Sequence, residues 1–111
     1  MRIGLHPKAA SELDSIANQL DDDWFGLGER FLQSYHRVTE NLKEHPEAYA
    51  PVLVDDKPVA GTRWIKLDNN MRYKVIYKYY PDKELIYVVA IAHFKQKPLY
   101  WLERMDDLSL G

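Results

Sequence analysis

The sequence predicts an α+β domain, a helical hairpin packed on one face of a small, largely antiparallel sheet. Three observations predict it. Apolar residues recur at helical spacing twice in the first half: Ala9, Leu13, Ile16, Ala17 and Leu20, then Leu27 or Gly28, Phe31, Tyr35, Val38 and Leu42. In the second half the period changes to two, with Met71, Tyr73, Val75, Tyr77 and Tyr79 on one face and Arg72, Lys74 and Lys78 on the other. An unbroken apolar run, Leu85 to Ala92, then has the length and content of a strand buried on both sides.

Taken in order, Arg2 to Leu5 reads as a short first strand with Ile3 and Leu5 on one face. Pro7 suits the first position of a helix, where its missing N–H is no loss. Asp21-Asp22-Asp23 closes that helix and is expected to serve as a solvated connection and N-cap for the next one. The second helix is expected from Trp24 to Glu44, with Trp24 and Phe25 opening its apolar stripe and Pro46 ending it. Glu47 to Thr62 shows no sustained period and contains Pro51, Pro58 and Gly61, so a loop is expected there. Strands follow at Arg63–Asp68, Met71–Tyr80 and Leu85–His93, joined by Asn69-Asn70 and Pro81-Asp82 turns. A short helical turn from Leu99 to Met105 completes a β-α-α-β-β-β order.

The 111 residues fit one domain with a single hydrophobic core, covering 1–111. At 46% hydrophobic and 29% charged residues, the composition is that of a folded globular chain. There are no cysteines, which excludes disulfides and thiolate metal sites, and His6, His36 and His45 lack ligand spacing, so no metal or cofactor is expected. The N-terminus lacks a secretory pattern, and the longest apolar run is too short to span a bilayer, so a cytoplasmic protein without membrane association is expected. The net charge of −2 hides an asymmetry. Residues 1–56 carry five Lys and Arg against eleven Asp and Glu, whereas residues 57–111 carry ten against six. A basic working surface therefore belongs to the second half.

Several stretches carry a resemblance. Pro7-Lys8-Ala9 opens the first helix, His45-Pro46 ends the second, and Arg72-Tyr73-Lys74-Val75-Ile76-Tyr77 forms the penultimate strand. The most distinctive piece is His93-Phe94-Lys95-Gln96-Lys97-Pro98-Leu99-Tyr100-Trp101. With the order of elements, these resemble the RelE/ParE superfamily of bacterial type II toxins, and the ending is similar to that of the ParE-like branch. The resemblance implies a toxin neutralised by a cognate antitoxin. ParE-like members inhibit DNA gyrase; RelE-like members cleave mRNA on the ribosome without a metal. A member of the fold that has lost toxicity and survives as a binding module is the third alternative.

The resemblance implies different duties for the same residues. Metal-free RNA cleavage needs proton transfer to and from the reacting oxygens, and cations for the charge that develops on phosphorus. For a RelE-like enzyme, Lys66, Lys74 and Lys95 match basic positions and Tyr100 (or its neighbour Trp101) the tyrosine, while Trp64 replaces a further lysine. Against this, the sequence pI is about 6.1, low for docking on RNA, and Gln96 stands where the ParE-like ending often has arginine. For an antitoxin- or target-binding face the candidates are Arg63, Lys66, Arg72, Lys74, Lys78, His93, Lys95, Lys97 and Trp101. His93 is expected to hydrogen-bond the C-terminal turn, and Tyr100 and Trp101 to anchor that turn on the core.

Overall fold

The structure, a computed structural model, describes residues 1–67 and 72–107. The Asn69-Asn70 turn, with Asp68 and Met71 beside it, lies outside the described residues. Strand β1 (Arg2–Leu5) leads into helices α1 (Pro7–Asp23) and α2 (Leu27–Glu44). Strands β2 (Ala50–Val54), β3 (Lys57–Lys66), β4 (Tyr73–Tyr80) and β5 (Leu85–His93) come next, and a 3₁₀ turn spans Leu102–Asp107. The sheet order is β1-β5-β4-β3-β2, parallel between β1 and β5 and antiparallel elsewhere.

The alternation along β4 sorts the core into two halves. Tyr73, Val75, Tyr77 and Tyr79 pack with Ala9, Ala17, Phe31, Tyr35, Val38 and Leu42 from the two helices. Ile76 faces the other way, into a second cluster with Val89, Ala90, Ala92 and Trp101. The sheet is therefore covered on both sides: by the helical hairpin on one, and by the C-terminal segment with residues of β2 and β3 on the other.

Helix α1 begins where the sequence places it. His6 caps it, its Nδ1 accepting from the Lys8 N–H at 3.0 Å, while the His6 N–H continues the β1–β5 ladder to the Val88 carbonyl at 2.9 Å. The start of α2 differs from expectation. Trp24 and Phe25 stand outside the helix, 74% and 96% exposed, instead of opening its apolar stripe. The N-cap residue is Gly26 at φ 85°, and the capping oxygen comes from farther back: Asp21 Oδ1 accepts from the Gly28 N–H at 2.8 Å. The first aspartate thus serves as a cap, from inside α1.

Gly28 is where the helices touch most closely. A Cβ there would fall on the Ala17 carbonyl oxygen and the Asp21 carboxylate. Gly28→Ala is expected to force the helices apart and to lower stability by roughly 1–3 kcal/mol, read from the urea midpoint.

The expected loop at Glu47–Thr62 is instead mostly strand. β2 and β3 form a hairpin closed by Asp55 and Asp56, whose φ values of 51° and 63° supply the two left-handed residues of a two-residue turn. The prolines suit their places, because β2 is an edge and Pro58 precedes the part of β3 that pairs with β4. Ala60 and Gly61, both at positive φ, bend β3 between its two pairings. The distal half of the hairpin becomes an arm standing beside the sheet.

Strand β5 contains an extra residue. Ile76 pairs with Ala90 and Tyr77 with Val88, leaving Val89 unopposed. This bulge reverses the facing of the rest of the strand, so Ile91 joins the helix-side cluster while Val89 and Ala92 join the other.

Burial also reaches the tyrosine hydroxyls. Tyr35 and Tyr77 are both pushed up from 10.0 to about 12 by desolvation, opposed at Tyr77 by Arg63 nearby. Tyr77 keeps its proton in a 2.8 Å bond to the Pro46 carbonyl. Unfolded tyrosines ionise near 10 while these stay protonated, so the unfolded state binds fewer protons and stability falls as pH rises through 10–12. Phenolate absorbance from these two residues is expected to appear together with loss of the far-ultraviolet circular dichroism signal in an alkaline titration.

Candidate functional site

The sheet face opposite the helices gathers the cations the sequence singled out. Cross-strand pairing sets Lys66 directly opposite Lys74, and Trp64 opposite Ile76. Two like charges side by side repel, and the aromatic rings around them offset this. Lys74 Nζ lies 5.2 Å from the Phe94 ring centre and 5.6 Å from that of Trp64, and Lys66 Nζ lies 5.9 Å from Phe94. Trp64 and Phe94 meet edge to face at 6.0 Å. Half-buried among these rings, Lys74 has its pKa lowered by desolvation. An incoming anion would offset the penalty of that desolvation by pairing with its ammonium.

Beside Lys74 opens a groove of about 370 Å³. The arm supplies Val52, Leu53 and Val54 on one side, and the segment from Phe94 to Tyr100 supplies the other. Ile76, Ala92 and Trp101 make the floor. Lys95 and Lys97 are exposed on the C-terminal segment, and Lys97 joins the lining. The result is an apolar trough with a cationic rim.

Not every predicted residue joins this face. Arg63 pairs with Tyr77 and so faces the helix side, where its guanidinium donates to the Tyr49 carbonyl at 2.7 Å. His93 borders the groove, but the bulge at Val89 carries its ring to the helix side, 5.1 Å from that of Tyr73. Its Nδ1 accepts from the Lys95 N–H at 2.9 Å, and its backbone N–H donates to Gln96 Oε1 at 2.7 Å, so it holds the turn at Lys95 and Gln96, where the sequence predicts a bond to the C-terminal turn. Trp101 is only 2% exposed, an anchor in the floor and not a surface group. Lys78 shares the face of Lys74 but sits toward the far end of β4, its ammonium 5.2 Å from the Tyr80 ring centre. Arg72 is exposed at the approach to β4.

Tyr100 belongs to a cluster that no sequence pattern announced. Its hydroxyl donates to Glu12 Oε2 at 2.6 Å, and Arg104 grips the same carboxylate through both terminal nitrogens at 2.9 and 3.0 Å. β1 accompanies β5 only as far as Val88, so among the described residues no strand neighbours the rest of that edge. Side chains take its place: Glu12 Oε1 accepts from the Ile91 N–H at 3.1 Å, and Arg104 donates to the Val89 carbonyl at 3.1 Å. The Tyr100 hydroxyl is held well above the ordinary tyrosine range, first by burial and then by the hydrogen bond to Glu12 and its negative charge. The Arg104 pKa is raised, chiefly by its hydrogen bonds to the same carboxylate.

Among the described residues, no group of three or more His, Asp or Glu could hold a metal ion. No helix among them is long and apolar enough to cross a membrane.

Comparison with known proteins places the fold and the family. The structure is similar to a solved chain of the chromosomal ParDE toxin–antitoxin system from P. aeruginosa, with a TM-score of 0.67 and 17% identity over 84% of this chain and 95% of that one. It is also similar to the isolated E. coli RelE toxin, with a TM-score of 0.59 and 16% identity over 96% and 97% of the two chains. No curated protein matches the chain by sequence. The family model for the ParE toxin of the type II toxin–antitoxin system, parDE, matches residues 3–98. With nearly the whole folded chain spanned by that match, this protein belongs to the ParE toxin family of type II toxin–antitoxin systems.

Proposed function

We propose that this protein is a toxin that inhibits DNA gyrase in the cytoplasm and is neutralised by a cognate antitoxin bound on the Lys66–Lys74 face. Family membership implies an antitoxin partner; the target is the further step. The observation that carries the gyrase reading over mRNA cleavage is the state of Tyr100. A proton-transfer group needs access to the reacting oxygen and a pKa near the working pH. The Tyr100 hydroxyl is bonded to Glu12 instead, with its acidity suppressed. The lysines beside it lie against aromatic rings in a trough suited to acidic and apolar side chains of a protein partner.

Controlled expression in bacteria, with pulse-labelling of protein and DNA synthesis, separates the alternatives. A replication defect with translation intact, and loss of supercoiling by purified gyrase on addition of the protein, are the expected results. Immediate arrest of translation would instead favour the RelE-like endonuclease, with Lys74→Ala and Lys95→Ala as the next variants. Unaffected growth with folded protein present would leave the non-toxic binding module. Lys74→Glu is expected to weaken antitoxin binding at least tenfold by titration calorimetry, since it places a carboxylate in a trough shaped for anions.

A further inference from the structure

Two surface features have no role in the fold. The first is the tip of the helical hairpin, where Trp24 and Phe25 project into solvent. They are held there. The Trp24 N–H donates to the Leu20 carbonyl at 2.8 Å, the Leu27 N–H to the Trp24 carbonyl at 3.1 Å, and Asp21 fixes the first turn of α2. Two adjacent aromatics kept out of the core on a rigid turn have the character of a contact surface. Asp22 and Asp23 beside them are exposed and make the tip anionic, which disfavours nucleic acids and anionic lipid.

The second feature is the groove on the opposite face, whose properties are the reverse of the tip's. It is concave where the tip is convex, and cationic at the rim where the tip is anionic. A cavity of about 150 Å³ accepts one benzene ring, so about 370 Å³ has room for two aromatic side chains.

We propose that the Trp24–Phe25 tip of one molecule docks in the groove of a second copy, with Asp22 and Asp23 against Lys74 and Lys97. Tip and groove lie on opposite sides of the sheet, so the contact is head-to-tail and yields short chains or a ring, not a two-fold pair. Docking covers Lys74, so a self-associated molecule has that face occupied. Shape and charge bring the two surfaces together whether or not gyrase is the target.

Sedimentation equilibrium of the full chain tests it. The weight-average mass is expected to rise with protein concentration and to fall back as salt is added. Phe25→Ala, on a fully exposed side chain, and Lys97→Glu, on an exposed lysine, should each remain monomeric. An equimolar mixture of these two variants restores one tip and one groove, and is expected to form dimers and nothing larger. A wild type that is monomeric at every concentration overturns the proposal, and loss of gyrase inhibition by Phe25→Ala would then give the tip to the target enzyme. Association of the wild type that survives Phe25→Ala, or a mixture that stays monomeric, also overturns it.

Discussion

Glu12→Ala is expected to lower the stability of the protein by roughly 3–5 kcal/mol, because it leaves a buried guanidinium without its counter-charge. The Arg104 side chain is 8% exposed and that of Glu12 19%, so water reaches neither freely. The same substitution strips an acceptor from the Tyr100 hydroxyl and from the Ile91 N–H at once. Against a total stability of about 5–15 kcal/mol for a domain of this kind, such a loss is a large fraction. Urea unfolding followed by circular dichroism reads it directly. The double replacement Glu12→Leu with Arg104→Leu is expected to lose much less than Glu12→Ala alone, since it removes the charge together with its partner. Equal losses would mean that the ion pair contributes little and that packing of the C-terminal segment dominates.

Trp101→Ala is expected to lower stability by roughly 3–5 kcal/mol as well, through the cavity left under the second core cluster. Trp101 is fully enclosed beside Ile76, Val89 and Ala92, and it also floors the groove. The same urea experiment should show the loss, with Phe25→Ala within about 0.5 kcal/mol of wild type as the exposed-aromatic control. Glu12 and Trp101 tie down one segment from two directions, so their combined replacement should fall short of the sum of the single losses.

Periodicity made much of this fold legible. The two helical stripes and the alternation along β4 follow from local spacing, and the helix-side cluster contains the residues that spacing nominates. The arm was hidden because its turn is Asp-Asp, without the glycine that usually marks such a turn, and because prolines interrupt both of its strands. Trp24 and Phe25 look like the start of a stripe because their type is apolar; only the left-handed Gly26 separates them from it. The Glu12 cluster spans 88 and 92 positions of sequence, beyond any local period. The lysine face was legible as an alternation, but its aromatic lining depends on Phe94 crossing to meet Trp64, a tertiary fact.

The bulge at Val89 has a consequence for how this surface can change over generations. Val89 is the residue of β5 without a cross-strand partner, so deleting its codon would leave Tyr77 opposite Val88 and Ile76 opposite Ala90 in an unbroken ladder. Every side chain from Ala90 to His93 would keep the face it has now, and the loss would fall on the second cluster, where Val89 packs. In a strand without such a bulge, the same deletion would turn everything beyond it over. A lineage of such chains could therefore shorten at this position and keep both the lysine face and the helix-side core in place.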